Sequence, residues 1–269
     1  MVASSGGGVA QTQGKEGTEG LAVREVSFDA PWQWLDLGWR DLGATPLIGL
    51  AFGAAAFAGA VSITAALFWL QALPLLLPLS GGFLLLGPML AVGLYEVSRR
   101  RELGETAGFE EVRHAILKSP RRLALFGVLL LLIYFFWVRI AFLLFMLLFG
   151  PNSFPSLPDF IPTLLFTPYG LGLLVAGTVT GGVLAAATFA ISAIAVPLLF
   201  DRRADPITAS VISIQAVRLN PKAMALWAAL IAAATLTGFA TLFIGLVVTF
   251  PLIGHATWHA YRDLIQDER

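Results

Sequence analysis

Between Leu42 and Tyr95 the chain carries no charged residue, and this one run dictates the solvent in which it folds. A helix needs about 20 apolar residues to cross a hydrocarbon core of roughly 30 Å. The run is too long for one crossing and predicts two. Composition agrees: 57% of the 269 residues are hydrophobic and 13% charged, against about 25% charged in soluble domains. So little charge cannot cover a water-facing surface, so lipid must take the place of water. The expected fold is an all-α, polytopic membrane helical bundle.

The segment PLLLPLSGG, around Pro74, Pro78 and Gly81, reads as a turn between spans at 46–72 and 80–98. A third span covers 123–149, interrupted only by Arg139. The following GPNSFPSLPDFIPTLLFTP holds too many prolines to be helical throughout. Span four covers 169–200. From Ala223 to Tyr261 the only ionisable residues are His255 and His259, and a split near Gly238 gives spans at 223–240 and 242–261. One long helix or a re-entrant pair is the alternative there. Residues 1–27, rich in Gly, Gln, Glu and Ser, read as a disordered tail without a cleavable signal, ahead of a transmembrane domain at 28–265.

Charge placement tests the count independently, because Lys and Arg collect in cytoplasmic loops. Sixteen of the seventeen fall in the N-terminal region, at 99–122, at 201–222, or after Tyr261. Six spans put all of these on one side. Both termini are then cytoplasmic. Zero net charge gives no field to gather nucleic acid. The lack of cysteine excludes disulfides, thiolate metal sites and cysteine nucleophiles.

The six spans read as three hairpins, each preceded by an amphipathic interfacial helix. DAPWQWLDLGWRDLGATP spaces Trp32, Leu35, Trp39 and Leu42 helically. ETAGFEEVRHAILKSP does so with Phe109, Val112 and Ile116. ADPITASVISIQAVRLNP does so with Ile207, Val211, Ile214 and Val217. Each ends on a small polar residue and proline: Thr45–Pro46, Ser119–Pro120, Asn220–Pro221. The even spans echo one another, with Pro88, Tyr95, Glu96 and Arg99 spaced like Pro251, Trp258, His259 and Arg262.

With WQWLDLGWRDL, SGGFLLLGPMLAVGLYEVSRRRELGE and FFWVRIAFLLF in view, residues 30–262 resemble a bacterial family of predicted integral membrane proteins, defined only as a domain of unknown function. Some of its members carry the label of a cytochrome c oxidase subunit. The resemblance implies a bacterial inner-membrane location and supplies no catalytic residues.

Arg139 is the sharpest candidate for function, about sixteen residues and so roughly 24 Å into span three. The bland alternative is that it snorkels to the outer headgroups. His255 and His259, four apart, could share a metal or haem iron, or simply hydrogen-bond neighbouring helices. With one further histidine in the chain, His114, no metal site is expected and no cofactor, haem being the alternative. Arg99, Arg100, Arg101, Arg121 and Arg122 form basic clusters that could meet lipid headgroups, or simply stop transfer. Ser80–Gly81–Gly82 reads as a turn. The small-residue run AGTVTGGVLAAATFAISA in span four suits close helix packing, a dimer seam or a lumen. No phosphate loop, HExxH or GxSxG occurs, so no catalytic residue is named. The partners expected are the bilayer and a membrane protein, a respiratory complex by the family label. Three functions follow: a non-catalytic accessory or assembly component, a small-solute or lipid permease, and a haem- or metal-binding membrane protein.

Overall fold

The computed structural model describes residues 21–118, 121–150 and 157–267. The first part of the expected tail and the Ser119–Pro120 corner lie outside them. Strand β1 (Leu21–Val23) leads into α1 (Ala30–Ala44), α2 (Pro46–Trp69), a 3-10 turn at Leu73–Leu75, α3 (Leu76–Leu90), α4 (Val92–Glu102) and α5 (Phe109–Leu117). Then come α6 (Arg121–Phe149), α7 (Leu157–Phe166), α8 (Pro168–Ser192), α9 (Ala195–Asp201), α10 (Pro206–Leu219), α11 (Pro221–Ala240), α12 (Leu246–Leu264) and β2 (Ile265–Asp267).

Proline sets the helix starts. Pro46, Pro168, Pro206 and Pro221 open their helices, where the absent N–H would have no partner anyway. Thr45 and Asn220 precede two of these prolines in nearly the same conformation, φ −128°, ψ 53° and φ −119°, ψ 51°. Both α1 and α10 therefore turn the chain into a long apolar helix through the same corner. Asp205 caps α10 by accepting from the N–H groups of Ile207 and Thr208 at 2.9 and 3.0 Å.

Among the described residues, five segments are long and apolar enough to cross a membrane: Pro46–Trp69, Pro78–Glu102, Arg121–Phe149, Pro168–Asp201 and Pro221–Ala240. The sixth expected span corresponds to α12, which is not among them. Its apolarity is diluted because it faces protein, packing against α1, α2, α4 and α11. The expected split is real: α11 ends at Ala240 and α12 starts at Leu246, so one long helix is excluded.

The second and fourth spans are bent. The α3–α4 segment breaks at Ala91, three residues past Pro88, and α8–α9 breaks at Ala193–Ile194. Below these bends the chain is solidly buried, over Val92–Ser98 and Ile194–Leu199, and α12 matches them at Gly254–Trp258. Trp34, Tyr95, Phe126, Trp227, Trp258 and Tyr261 fill this core. Backbones approach closely where glycine allows it. A Cβ on Gly53 would lie 2.0 Å from the Val247 carbonyl oxygen, and one on Gly38 2.8 Å from the Ala256 amide nitrogen.

Two expectations need correction, the place of the first turn and the extent of the tail. Of the apolar sets on the interfacial helices, Trp32, Trp39, Phe109, Ile116, Ile207 and Val211 are exposed, while Leu42 and Val112 are buried. Ala30, Trp34 and Gly38 of α1, and Ala209, Ile212 and Ala216 of α10, are the buried face. Periodicity marks an apolar face, but lipid can cover such a face as well as protein can. Ser80–Gly81–Gly82 lies inside α3 rather than in a turn, which falls at 70–75 instead. The two glycines make room for α6 aromatics: a Cβ on Gly82 would lie 2.6 Å from the Tyr134 ring. The proline-rich segment forms α7 over Leu157–Phe166, with Pro162 inside it, while Gly150 and Thr167 are not helical.

The last correction concerns the tail. Residues 21–23 are not part of it. They pair antiparallel with the C-terminal strand, Leu21 with Asp267, Ala22 with Gln266 and Val23 with Ile265. Asn220 fastens the connection, its Oδ1 accepting from the Val26 N–H at 2.8 Å and its Nδ2 donating to the Arg24 carbonyl at 2.9 Å. The two ends of the described chain meet on one side of the bundle.

Candidate functional site

The ionisable residues gather on that same side, where α1, α4, α9 and α12 converge. Arg99, Arg100 and Arg101 occupy consecutive helical positions, so their side chains leave α4 about 100° apart. Arg101 consequently reaches a different partner from the other two. Arg99 and Arg100 both donate to Glu96, at 2.8 and 2.7 Å, while Arg101 donates to Asp41 of α1 at 2.8 Å. Asp41, 5% exposed, also meets Nε2 of His259 at 2.8 Å. One carboxylate thus joins α1, α4 and α12.

Around this node the pattern repeats. Glu102 accepts from Trp258 Nε1 at 3.1 Å and from Arg262 Nε at 2.9 Å. Asp201 accepts from the Tyr261 hydroxyl at 2.7 Å and from Arg202 at 3.1 Å. Asp263 accepts from Trp34 Nε1 at 2.9 Å and pairs with Arg24. Arg122 donates to the carbonyl oxygens of Arg202 and Leu199, at 2.8 and 3.3 Å. Each carboxylate serves two donors. Burial alone would raise the Asp41 pKa, but hydrogen bonds from His259, Ser98 and Arg101, with the charge of His259, outweigh it and hold the carboxyl below its ordinary value.

The arrangement resembles catalytic hardware only at first sight. Ser98 Oγ lies 2.8 Å from His255 Nδ1, and Ser98 also hydrogen-bonds Asp41. A serine nucleophile needs the histidine between serine and acid; here serine stands between histidine and acid. Ser98 and His255 are both fully buried, so no substrate could reach them. The network is built to hold helices together.

The expected site residues are placed as follows. His255 and His259 do not face one another across a shared site: one meets Ser98, the other Asp41. Among the described residues no three His, Cys, Asp or Glu side chains cluster as metal ligands. Of the basic candidates, Arg99, Arg100, Arg101 and Arg122 are engaged within the bundle, and Arg121 is exposed. Arg139 is exposed on α6, amid Leu132, Phe135, Phe136, Phe142 and Leu143, all exposed. Asp41, Ser98 and Glu102 were not singled out beforehand. The available signal was that acids next to a long uncharged run must find donors when the helices pack.

Two cavities lie among the spans. The larger, about 590 Å³, runs between α3–α4, α8, α11 and α12, bounded by residues such as Tyr95, Ser192, Ala228, Thr235 and Thr257. The other, about 450 Å³, lies between α2, α3 and the α11–α12 turn, against Phe52, Phe83 and Tyr134. Arg139 lines neither.

Residues 75–201 match the model of a family described as predicted integral membrane protein, DUF2189. The match takes in the arginine triplet and α6 but leaves out α1, α12 and the WQWLDLGWRDL motif. No curated protein and no solved structure matches the chain.

Proposed function

We propose, on the premise that residues 75–201 are a DUF2189 segment of an integral membrane protein, that this chain is a non-catalytic accessory or assembly component of a membrane complex. The observation that carries the reading is Arg139. It stands among exposed Leu and Phe side chains on the outer face of α6 and lines neither cavity. It lies 18 residues from Arg121, about 27 Å along the helix. An arginine inside hydrocarbon costs about 2.5–3.5 kcal/mol on insertion scales. An acidic or polar group from a partner's transmembrane helix would offset that cost, and the flanking aromatic rings would pack against it. The ionisable groups elsewhere, already joined to one another, have structure rather than chemistry as their role.

Six crossings with both ends in the cytoplasm of a bacterium accompany this proposal. In its favour, β1 pairs with β2, as an even number of crossings between them requires. Five apolar spans then need α12 as the sixth. Three hairpins, each entered through an interfacial helix, account for the matching corners at Thr45 and Asn220.

The permease alternative needs a polar route to Arg139, and the two cavities described provide none. The haem alternative needs His255 and His259 on one iron, whereas one nitrogen of each ring is engaged elsewhere, by Ser98 and by Asp41.

Extraction in a mild detergent tests the main reading. A stoichiometric membrane partner should co-purify with the wild-type chain and be lost from Arg139→Leu, which retains its helix content. Purification of wild type as a clean single species would refute the proposal.

A further inference from the structure

The larger cavity is elongated. Its wall on α11 extends from Pro221 to Thr235, fourteen residues and so about 21 Å. That is the depth of most of a bilayer leaflet pair, and the length of one extended lipid chain. Small side chains create the space. Ala225, Ala228 and Ala232 on α11 and Ala185 and Ala186 on α8 line it, and with Ala185, Ala186 and Ala225 exposed the cavity is open along one side. The volume, about 590 Å³, is within the roughly 300–1,000 Å³ of small-molecule sites.

No Asp, Glu, Lys, Arg or His lines the cavity, so a charged headgroup would enter without a counter-charge, at high cost. The wall is nevertheless not inert. Thr188, Ser192, Thr235 and Thr257 each donate their hydroxyl hydrogen to the carbonyl four residues earlier. Their oxygens remain able to accept. Tyr95 is different. It is 1% exposed and lines the cavity, and its hydroxyl has no hydrogen-bond partner among the described residues. Thr249 Oγ1, in the same wall, is likewise buried without a partner. A hydroxyl removed from water without a partner is unfavourable until something bonds to it. These groups ask for a ligand that brings both a donor and an acceptor but no charge.

We propose that this cavity binds a single-chain uncharged lipid, a monoacylglycerol or long-chain alcohol. Its chain lies along the α11 alanines. Its hydroxyl or carbonyl oxygen accepts from Tyr95, and its own hydroxyl donates to Ser192 or Thr257. A phospholipid chain would occupy the site with its charged headgroup left outside, whereas a monoacylglycerol brings its own hydroxyl and carbonyl to Tyr95 and Ser192.

Photolabelling tests it, with a monoacylglycerol carrying a diazirine in its chain and the purified full-length protein in phosphatidylcholine nanodiscs. Label should map to α8 and α11, and unlabelled monoacylglycerol should compete it away. Ala228→Trp should abolish labelling, while Val179→Trp on the exposed side of α8 should leave it unchanged. Tyr95→Phe should weaken it about three- to tenfold, the loss of one hydrogen bond. Should Ala228→Trp fail to fold, the wild-type competition and Tyr95→Phe decide. Equal labelling by a lysophosphatidylcholine probe of the same chain, label confined to outer helix faces, or absence of competition would each overturn the proposal. None of these results depends on whether a partner protein docks at Arg139.

Discussion

Asp41 and His259 stand 218 positions apart in the chain, yet Nε2 of His259 lies 2.8 Å from the Asp41 carboxylate. Arg101 completes the node from a third helix. Asp41 is buried but Arg101 is about a third exposed, so water compensates part of the charge left behind, and losing these hydrogen bonds costs about 1–3 kcal/mol. Asp41→Asn should therefore lower the thermal midpoint of the detergent-solubilised protein markedly. An unchanged midpoint would show that the node contributes little.

The same residue predicts an acid dependence. Its folded pKa is depressed, so its contribution is complete above the ordinary carboxylate value of about 3.9. It is lost as pH falls through the lower folded value. Wild type should lose stability on acidification below that range, and Asp41→Asn should lose less. Parallel midpoint-versus-pH curves for the two proteins would contradict this.

Asn220, at the corner between α10 and α11, holds the N-terminal segment with a pair of hydrogen bonds. Asn220→Ala strands the Val26 N–H and the Arg24 carbonyl, a loss of about 1–3 kcal/mol. Limited proteolysis should then cut within residues 21–29 well before the bundle is attacked. Equal cleavage rates in both proteins would mean that the clasp is held by other contacts.

Gly53 and Gly59 lie on the same helix with opposite expected outcomes. A Cβ on Gly53 would collide with the Val247 carbonyl, whereas Gly59 has open space. Gly53→Val should separate α2 from α12 and give aggregated protein on gel filtration. Gly59→Val should elute as wild type. Similar behaviour of the pair would place the α2–α12 contact elsewhere.

Tags at the two termini should be accessible from one membrane face only, the cytoplasmic one. This follows from the strand pairing and the charge distribution. Opposite accessibility of the two tags would rule out an even number of crossings.

Much of the architecture could be read from the linear chain. Long apolar runs mark helices that lipid can surround, and prolines after Thr45 and Asn220 mark where the chain bends into them, because ring geometry acts locally. The direction in which a side chain faces was not legible. Trp32 and Trp39 mark an apolar face in the sequence, but nothing there shows that Ala30, Trp34 and Gly38 form the side that packs on the bundle. Water would have forced the tryptophans inward; hydrocarbon imposes no such sorting.

By itself the sequence determined that this is a membrane protein, where its long helices run and where its positive charge collects, since these depend on composition and local stereochemistry. Only the tertiary structure decided that Asp41 selects Arg101 and His259, that Arg139 stays outside the bundle, and that alanines leave a cavity beside Tyr95. Such outcomes depend on which helices become neighbours. Pairing of charges and the shape of a void are properties of side chains from distant segments brought to within a few ångströms, and no single stretch of chain encodes that distance.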